Sequence, residues 1–258
     1  NINQLQVRAM ELDTENNLWV GTLDGLVYYE IDHGKVDRLT QLNGLKGNEI
    51  SSLFADSEGR IWVGSVGRGI TVISRNRIDQ LDLGYDFTAR CFTEDMDGNI
   101  WIGTEGRGLI QYDPQPGEVI RTFTVEEGLL ANLINQLSCD RFSNIYVGTN
   151  KGLNKYLRSE EKVYSYTPGS GFIGIETKPN ASMVDREGNI WFGTVECVTR
   201  YFPSVEPPAI NQPLTHITGF QVNHQAYPLK QGTRLSHHQN SIIFDYRCVT
   251  LNPDAVRY

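Results

Sequence analysis

Asp95-Met96-Asp97-Gly98-Asn99-Ile100-Trp101-Ile102-Gly103-Thr104 reads as a strand end, a tight turn and a second strand, with another turn following at Gly106-Arg107-Gly108. The phrase recurs along the chain. Asp13 to Thr22 is DTENNLWVGT, Asp56 to Ser65 is DSEGRIWVGS, Asp140 to Thr149 is DRFSNIYVGT, and Asp185 to Thr194 is DREGNIWFGT. The anchoring aromatics are Trp19, Trp62, Trp101, Tyr146 and Trp191, spaced 43, 39, 45 and 45 residues apart. A period near forty with several short strands in each period is the signature of propeller blades. The expected fold is therefore all-β, with five four-stranded antiparallel blades at about 1–42, 43–84, 85–126, 127–167 and 168–203.

Each blade follows one plan. In the first, Leu5, Val7 and Met10 alternate as in an inner strand, Glu15-Asn16-Asn17 turns the chain, and Leu18 to Gly21 is the second strand. Asp24-Gly25 makes the next hairpin, and Asp32-His33-Gly34 leads into a fourth strand over Lys35 to Leu39. Asn16 stands in blade one where other blades have glycine, and two later blades also lack a turn glycine. In the fourth, Arg141 to Asn144 is expected to lean on Asn, and in the fifth, Val195-Glu196-Cys197 is expected to form a looser hairpin or to mark a terminal blade relieved of the usual constraint.

The repeating residues have structural work first. Asp accepts backbone N–H bonds across the turn, and the aromatic packs one sheet on the next. The Gly before Thr allows close backbone approach. Trp19, Trp62, Trp101, Tyr146 and Trp191 are thus expected in the core, not in a stacking platform for a ligand.

Longer loops join the blades. Asn43 to Asn48 and Glu127 to Asn132 share Gly-Leu followed by Asn three residues on, and Gly169 to Lys178 is a variant. In a blade wound outward from the centre, these loops share a face with the turns between second and third strands. Arg68, Arg107 and Lys151, with Asp24 and Glu105, then join Asn48, Asn132, Glu176 and Lys178 on the face where a ligand would bind. Arg68 and Arg107 hold equal positions in neighbouring blades, so two guanidinium forks could clamp one anion.

After Tyr201-Phe202-Pro203 the pattern stops. Residues 204–212 read as a Pro-rich linker, and 213–258 as the opening of an incomplete second β domain with strands over Leu214–Tyr227 and Ser241–Leu251. Ile242, Phe244 and Tyr246 alternate as on a half-buried sheet.

Composition removes several function classes. A net charge of −8 on 258 residues gives no summed positive field for nucleic acid. No apolar run spans a membrane, so membrane attachment would need segments absent from this chain. Cys91, Cys139, Cys197 and Cys248 lack metal-ligand spacing and read as free thiols, with one disulfide open to an oxidising compartment. His33 is the only His before His216, and His237-His238 would point to opposite faces of a strand, so neither a metal site nor a catalytic triad is expected. No cofactor motif is present, because Gly103, Gly106 and Gly108 sit in a hairpin and not before a helix. Asn180-Ala181-Ser182 matches a glycosylation sequon by chance.

The unit D-x-x-G-N-I-W-I-G-T-x-x-G-L-x-x-Y, best matched by Asp95 to Tyr112, resembles the two-component regulator propeller repeat. Phe172, Ala181, Asp185 to Thr194 and Tyr201-Phe202-Pro203 resemble the last blade of the second propeller in hybrid two-component sensors. Ile217 to Val222 and Ser241 to Tyr246 resemble the start of the immunoglobulin-like three-tyrosine domain that follows it. The resemblance implies a periplasmic, non-enzymatic sensor half of a hybrid histidine kinase, with an oligosaccharide as ligand and the C-terminal β domain passing the signal on. It also implies seven blades where five are written, so the ring is left open, completed by a second copy as a homodimer, or smaller than usual. The alternatives are a protein-interaction scaffold and a propeller lyase, the latter needing a general base and an electrophile on one face.

Overall fold

The structure, a computed structural model, describes residues 6–75, 77–167, 172, 174–203, 214–227 and 235–249. The linker expected at 204–212, Leu5, and residues 250–258 lie outside that set. The chain divides into two compact units, Asn1–Ser204 and Val205–Tyr258.

The first unit is a succession of antiparallel sheets, each with its strands paired in chain order. Blade one holds β1 (Val7–Leu12), β2 (Leu18–Thr22), β3 (Gly25–Glu30) and β4 (Lys35–Leu39). Blade two holds β5 (Ile50–Ala55), β6 (Ile61–Ser65), β7 (Gly69–Ser74) and β8 (Arg77–Leu81). Blade three holds β9 (Ala89–Glu94), β10 (Ile100–Thr104), β11 (Leu109–Asp113) and β12 (Glu118–Phe123). Blade four holds β13 (Ile134–Cys139), β14 (Ile145–Thr149), β15 (Gly152–Leu157) and β16 (Lys162–Tyr166). The first strands adjoin one another in order, β1 to β5 to β9 to β13 to β17, as inner strands of propeller blades do.

Blade five departs from the four strands expected. It has three among the described residues, β17 (Thr177–Val184), β18 (Ile190–Thr194) and β19 (Val198–Tyr201). Phe202-Pro203 follows directly, and a proline offers no N–H to a sheet ladder.

Each turn is built by its aspartate. Asp95 Oδ1 accepts from the backbone N–H of Asp97 and Asn99, both at 3.0 Å, while Oδ2 accepts from the Trp101 indole at 2.8 Å. Asp13, Asp56 and Asp185 take the indole N–H of Trp19, Trp62 and Trp191 in the same way, at 3.1, 2.7 and 2.9 Å. In blade four the hydroxyl of Tyr146 replaces the indole and donates to Asp140 Oδ2 at 3.0 Å. The aspartate therefore ties turn to aromatic as well as closing the turn.

Its left-handed residue is Asn16 in blade one (φ 63°) and glycine in blades two, three and five. In blade four it is Ser143 (φ 60°), not an asparagine as the sequence suggested. The Ser143 hydroxyl accepts from the Met96 backbone N–H at 3.0 Å, so a contact with the neighbouring blade occupies the position. The hairpin of blade five is not loose either. Thr194 N–H donates to the Cys197 carbonyl at 2.8 Å, and the Cys197 N–H returns to Thr194 Oγ1 at 3.0 Å.

Four of the five aromatics are buried: Trp19, Trp62, Trp101 and Tyr146. Each of the last three meets a tyrosine from the third strand of the next blade. Ring centroids are 5.8 Å apart for Trp62–Tyr112, 5.3 Å for Trp101–Tyr156 and 5.1 Å for Tyr146–Tyr201. Trp191 is only partly buried and carries the Arg200 guanidinium over its ring at 5.1 Å. The glycine before Thr lets blades close up: a Cβ on Gly103 would lie 2.7 Å from Ile134 Cγ2 in blade four.

Leu5 lies outside the described residues, and Val7 and Met10, expected to alternate as on an inner strand, are exposed in β1, as is Leu12. A one-residue bulge at Arg8, Ser51, Arg90 and Asn135 interrupts the pairing of the first and second strands in blades one to four, and a wider one lies between Thr177 and Ser182.

The second unit is a three-stranded antiparallel sheet of β20 (Leu214–Val222), β21 (Gln225–Ala226) and β22 (Ile242–Val249), in the order β21-β20-β22. The single strand expected over Leu214–Tyr227 is instead a hairpin. Asn223 (φ 51°) and His224 (φ 65°) both take left-handed backbone, as a tight two-residue hairpin turn requires. Phe220 is buried and stacks on Phe244 across the pair at 5.0 Å, while Ile242 and Phe244 keep about half their surface exposed.

Candidate functional site

Backbone bonds place the interblade loops beside the turns between second and third strands. The Gly25 N–H donates to the Asn48 carbonyl at 2.7 Å, Gly69 to Phe87 at 2.6 Å, and Gly108 to Asn132 at 3.0 Å. Both sets of loops thus lie on one face of the first unit. Each loop is plugged by one buried apolar side chain: Leu45, Phe87, Leu129 or Phe172.

The recurring asparagine belongs to this architecture. Asn48 Oδ1 accepts from the Gln41 N–H at 2.8 Å, and Asn132 Oδ1 from the Val125 N–H at 2.9 Å. Thr40 with Asn43, and Thr124 with Glu127, cap the start of the same two loops. Hydrogen bonding from Thr124 holds the Glu127 carboxyl below the usual carboxylate range. Asn48 and Asn132 therefore hold loops in shape with the oxygen that a ligand would have used.

The cations are differently placed. Arg68 and Arg107 are exposed and flank one loop: Arg68 Nη1 is 4.0 Å from Asp86 Oδ2, and the Arg107 guanidinium lies 4.2 Å from the centre of the Tyr85 ring. A weak, solvent-exposed pair of this kind costs little to open. Lys151 is exposed in the blade-four turn, Glu176 lies beside the blade-five turn through its carbonyl bond to the Val195 N–H at 2.9 Å, and Lys178 is exposed in the β17 bulge. Asp24, in the first such turn, is paired with Arg38.

Arg90 was not legible as a site residue, although a charged residue inside the apolar run Ala89-Arg90-Cys91-Phe92 marks a bulge. Its Nη1 is 3.7 Å from Glu105 Oε1, and its Nε is buried with no hydrogen-bond partner among the described residues. Tyr85 and Asp86 were also missed, because neither belongs to the repeat. Together the face offers planar cations, an open aromatic and carboxylates, a set suited to holding hydroxyl and carboxylate groups by paired hydrogen bonds.

His33 does not join this face. His33 sits in a turn between third and fourth strands, with Nδ1 2.9 Å from Glu30 Oε1. His237 and His238 lie in a turn of the second unit with ring centroids 3.7 Å apart, not on opposite faces of a strand. Among the described residues no cluster of His, Cys, Asp and Glu could hold a metal ion. No described helix is long and apolar enough to cross a membrane.

Cys91 and Cys139 are free thiols. Burial pushes the Cys91 thiol far up, and burial followed by the Asp140 and Asp95 charges pushes Cys139 up to about 12. Because the thiolate is the nucleophile, Cys139 is expected to resist iodoacetamide at pH 8 in the folded protein and to react on unfolding in urea. Labelling followed by mass spectrometry reads this directly, and rapid labelling of folded Cys139 would contradict it.

The two-component regulator propeller family matches residues 44–67 and 83–106. The chain is 25% identical to histidine kinase P4 of Formosa agariphila, an alignment spanning 85% of this chain and 17% of that protein. It is 26% identical to the extracellular domain of a hybrid two-component system from B. thetaiotaomicron, with a TM-score of 0.73 over 95% of this chain and 35% of that one. A second such domain from B. thetaiotaomicron gives 26% identity and a TM-score of 0.65 over 78% of this chain and 28% of that one. The chain thus spans about a third or less of the length of these relatives. Virginiamycin B lyase from Staphylococcus aureus shares the fold alone, at 15% identity and a TM-score of 0.61.

Proposed function

Because the chain carries two-component regulator propeller repeats, we infer that it is a periplasmic ligand-sensing region of a hybrid two-component histidine kinase, and not an enzyme. The observation that carries this reading is the likeness to an extracellular sensor domain along 95% of the chain, a span that includes residues of both units. The ligand is an oligosaccharide held on the loop face by Arg68, Arg107, Lys151 and Lys178, with Glu176 and the Asn48 and Asn132 loops shaping the rim. Arg90 and Tyr85 belong to the same set. Binding acts by population shift: it favours one arrangement of the second unit's β-sheet over another, which requires different affinity for the two. A second copy covering the exposed apolar residues Val7, Met10 and Leu12 of β1 belongs to the same reading.

The test is a glycan array probed with the complete ectodomain, followed by calorimetry on the hits. The expected result is saturable binding of at least one oligosaccharide, weakened about tenfold or more by Arg68→Ala combined with Arg107→Ala. Binding that survives both substitutions together with Arg90→Gln would move the site off this face, and no binding at all would remove the reading.

A further inference from the structure

We propose a second binding site, for a small organic carboxylate about the size of one sugar ring, in the gap between blades three and four on the face opposite the loops. A cavity of about 390 Å³ opens there, within the range of small-ligand pockets. Its lining includes Arg121 of β12, Arg158 and Glu161 of the turn after β15, and Gln111 of β11. Asp97 and Ser143, from the first turns of the two blades, place it on the far side from Arg68 and Arg107.

The repeats supply their own comparison. Every gap is framed by the same aspartate-tied aromatic, so residues that differ between gaps are not required by the blade plan. Arg121 pairs in register with Gln111. The equivalent pairs are Asp37 with Tyr28, Asp79 with Val72, and Tyr164 with Lys155. Arg158 lies two residues beyond the packing tyrosine Tyr156, where the other gaps have Arg75, Pro114 and Pro203. Among the described residues, only the gap between blades three and four therefore has a guanidinium at both of these positions. Elsewhere a cation at one position faces an aspartate at the other, or there is a proline.

The two arginines are held in different ways. Arg158 pairs with Asp97 across the gap. Arg121 stacks over the Phe123 ring at 4.7 Å, which orients its plane. Its own carboxylate partner is Glu161 Oε2 at 3.8 Å, and that side chain is 76% exposed. So weak a pair is readily exchanged. A ligand carboxylate would replace Glu161 on Arg121, with Gln111 available to ring hydroxyls and Tyr156 beneath the ring.

The site is independent of the loop face, and its test does not depend on an oligosaccharide being found. Calorimetry of the intact chain is run with glucuronate, with glucose as the neutral arm and inorganic sulfate as the simple-anion arm. Glucuronate is expected to bind, weakened about tenfold or more by Arg121→Gln and unchanged by Arg77→Gln on exposed β8 of blade two, which belongs to neither site. Glucose is expected to give no heat, and sulfate to bind more weakly than glucuronate. Arg121 is 43% exposed, so the variant should keep its melting temperature, and circular dichroism verifies this. No binding of glucuronate, equal binding of glucose, or binding indifferent to both Arg121→Gln and Arg158→Gln would overturn the proposal.

Discussion

Trp101→Ala is expected to cost about 3–5 kcal/mol, read as a lowered urea midpoint for the first unit. The indole is buried, touches Phe123 within its blade at 5.8 Å and Tyr156 of the next blade at 5.3 Å, and donates to Asp95 Oδ2. Its removal opens a cavity between two sheets and leaves that carboxylate oxygen without its indole donor, two costs that add. Against a domain stability of about 5–15 kcal/mol, such a loss is close to unfolding. The same change at Trp191 should cost no more than about 2 kcal/mol, because that ring is only partly buried. Equal losses at the two positions would mean that the aromatics serve their own sheets and not the junction between sheets.

Gly108→Ala is expected to be nearly as severe, at about 3–5 kcal/mol. Gly108 has φ +77°, where an L side chain is strained, and a Cβ there would run into the carbonyl oxygen of Phe123. That carbonyl is backbone of the outer strand and cannot rotate away. Gly106, two residues earlier, is the control: its φ is +90°, but nothing lies within 4 Å of an added Cβ. Gly106→Ala should cost about 1 kcal/mol, the conformational part alone. Paired urea titrations separate the two contributions, and a mild Gly108→Ala would show that the hairpin gives way.

The blade plan was legible because it is local. Asp, turn residue and aromatic lie within seven residues of one another, and the fivefold repetition fixes their roles. What was not legible depends on neighbours distant in the sequence. Ser143 takes the left-handed turn position while bonding to Met96, forty-seven residues away. Asn48 and Asn132 carry a pattern that suits a ligand, yet their oxygens cap backbone at Gln41 and Val125. The hairpin at Asn223-His224 lacks the glycine that usually marks such a turn, so it passed for continuous strand. Arg121 and Arg158 lie outside the repeated phrase and come together only when two blades stack. The loop-face cations could be placed by topology alone, since alternating strands send every second turn to the same side.

From blade two onward, successive blades are joined through the aromatic of one and the tyrosine of the next. A double-mutant cycle on Trp101 and Tyr156, using Trp101→Leu and Tyr156→Leu in urea unfolding, measures that junction directly. The predicted coupling is about 0.5–1.5 kcal/mol, with none between Trp101 and Tyr201 one blade further on. Additive losses at Trp101 and Tyr156 would contradict it.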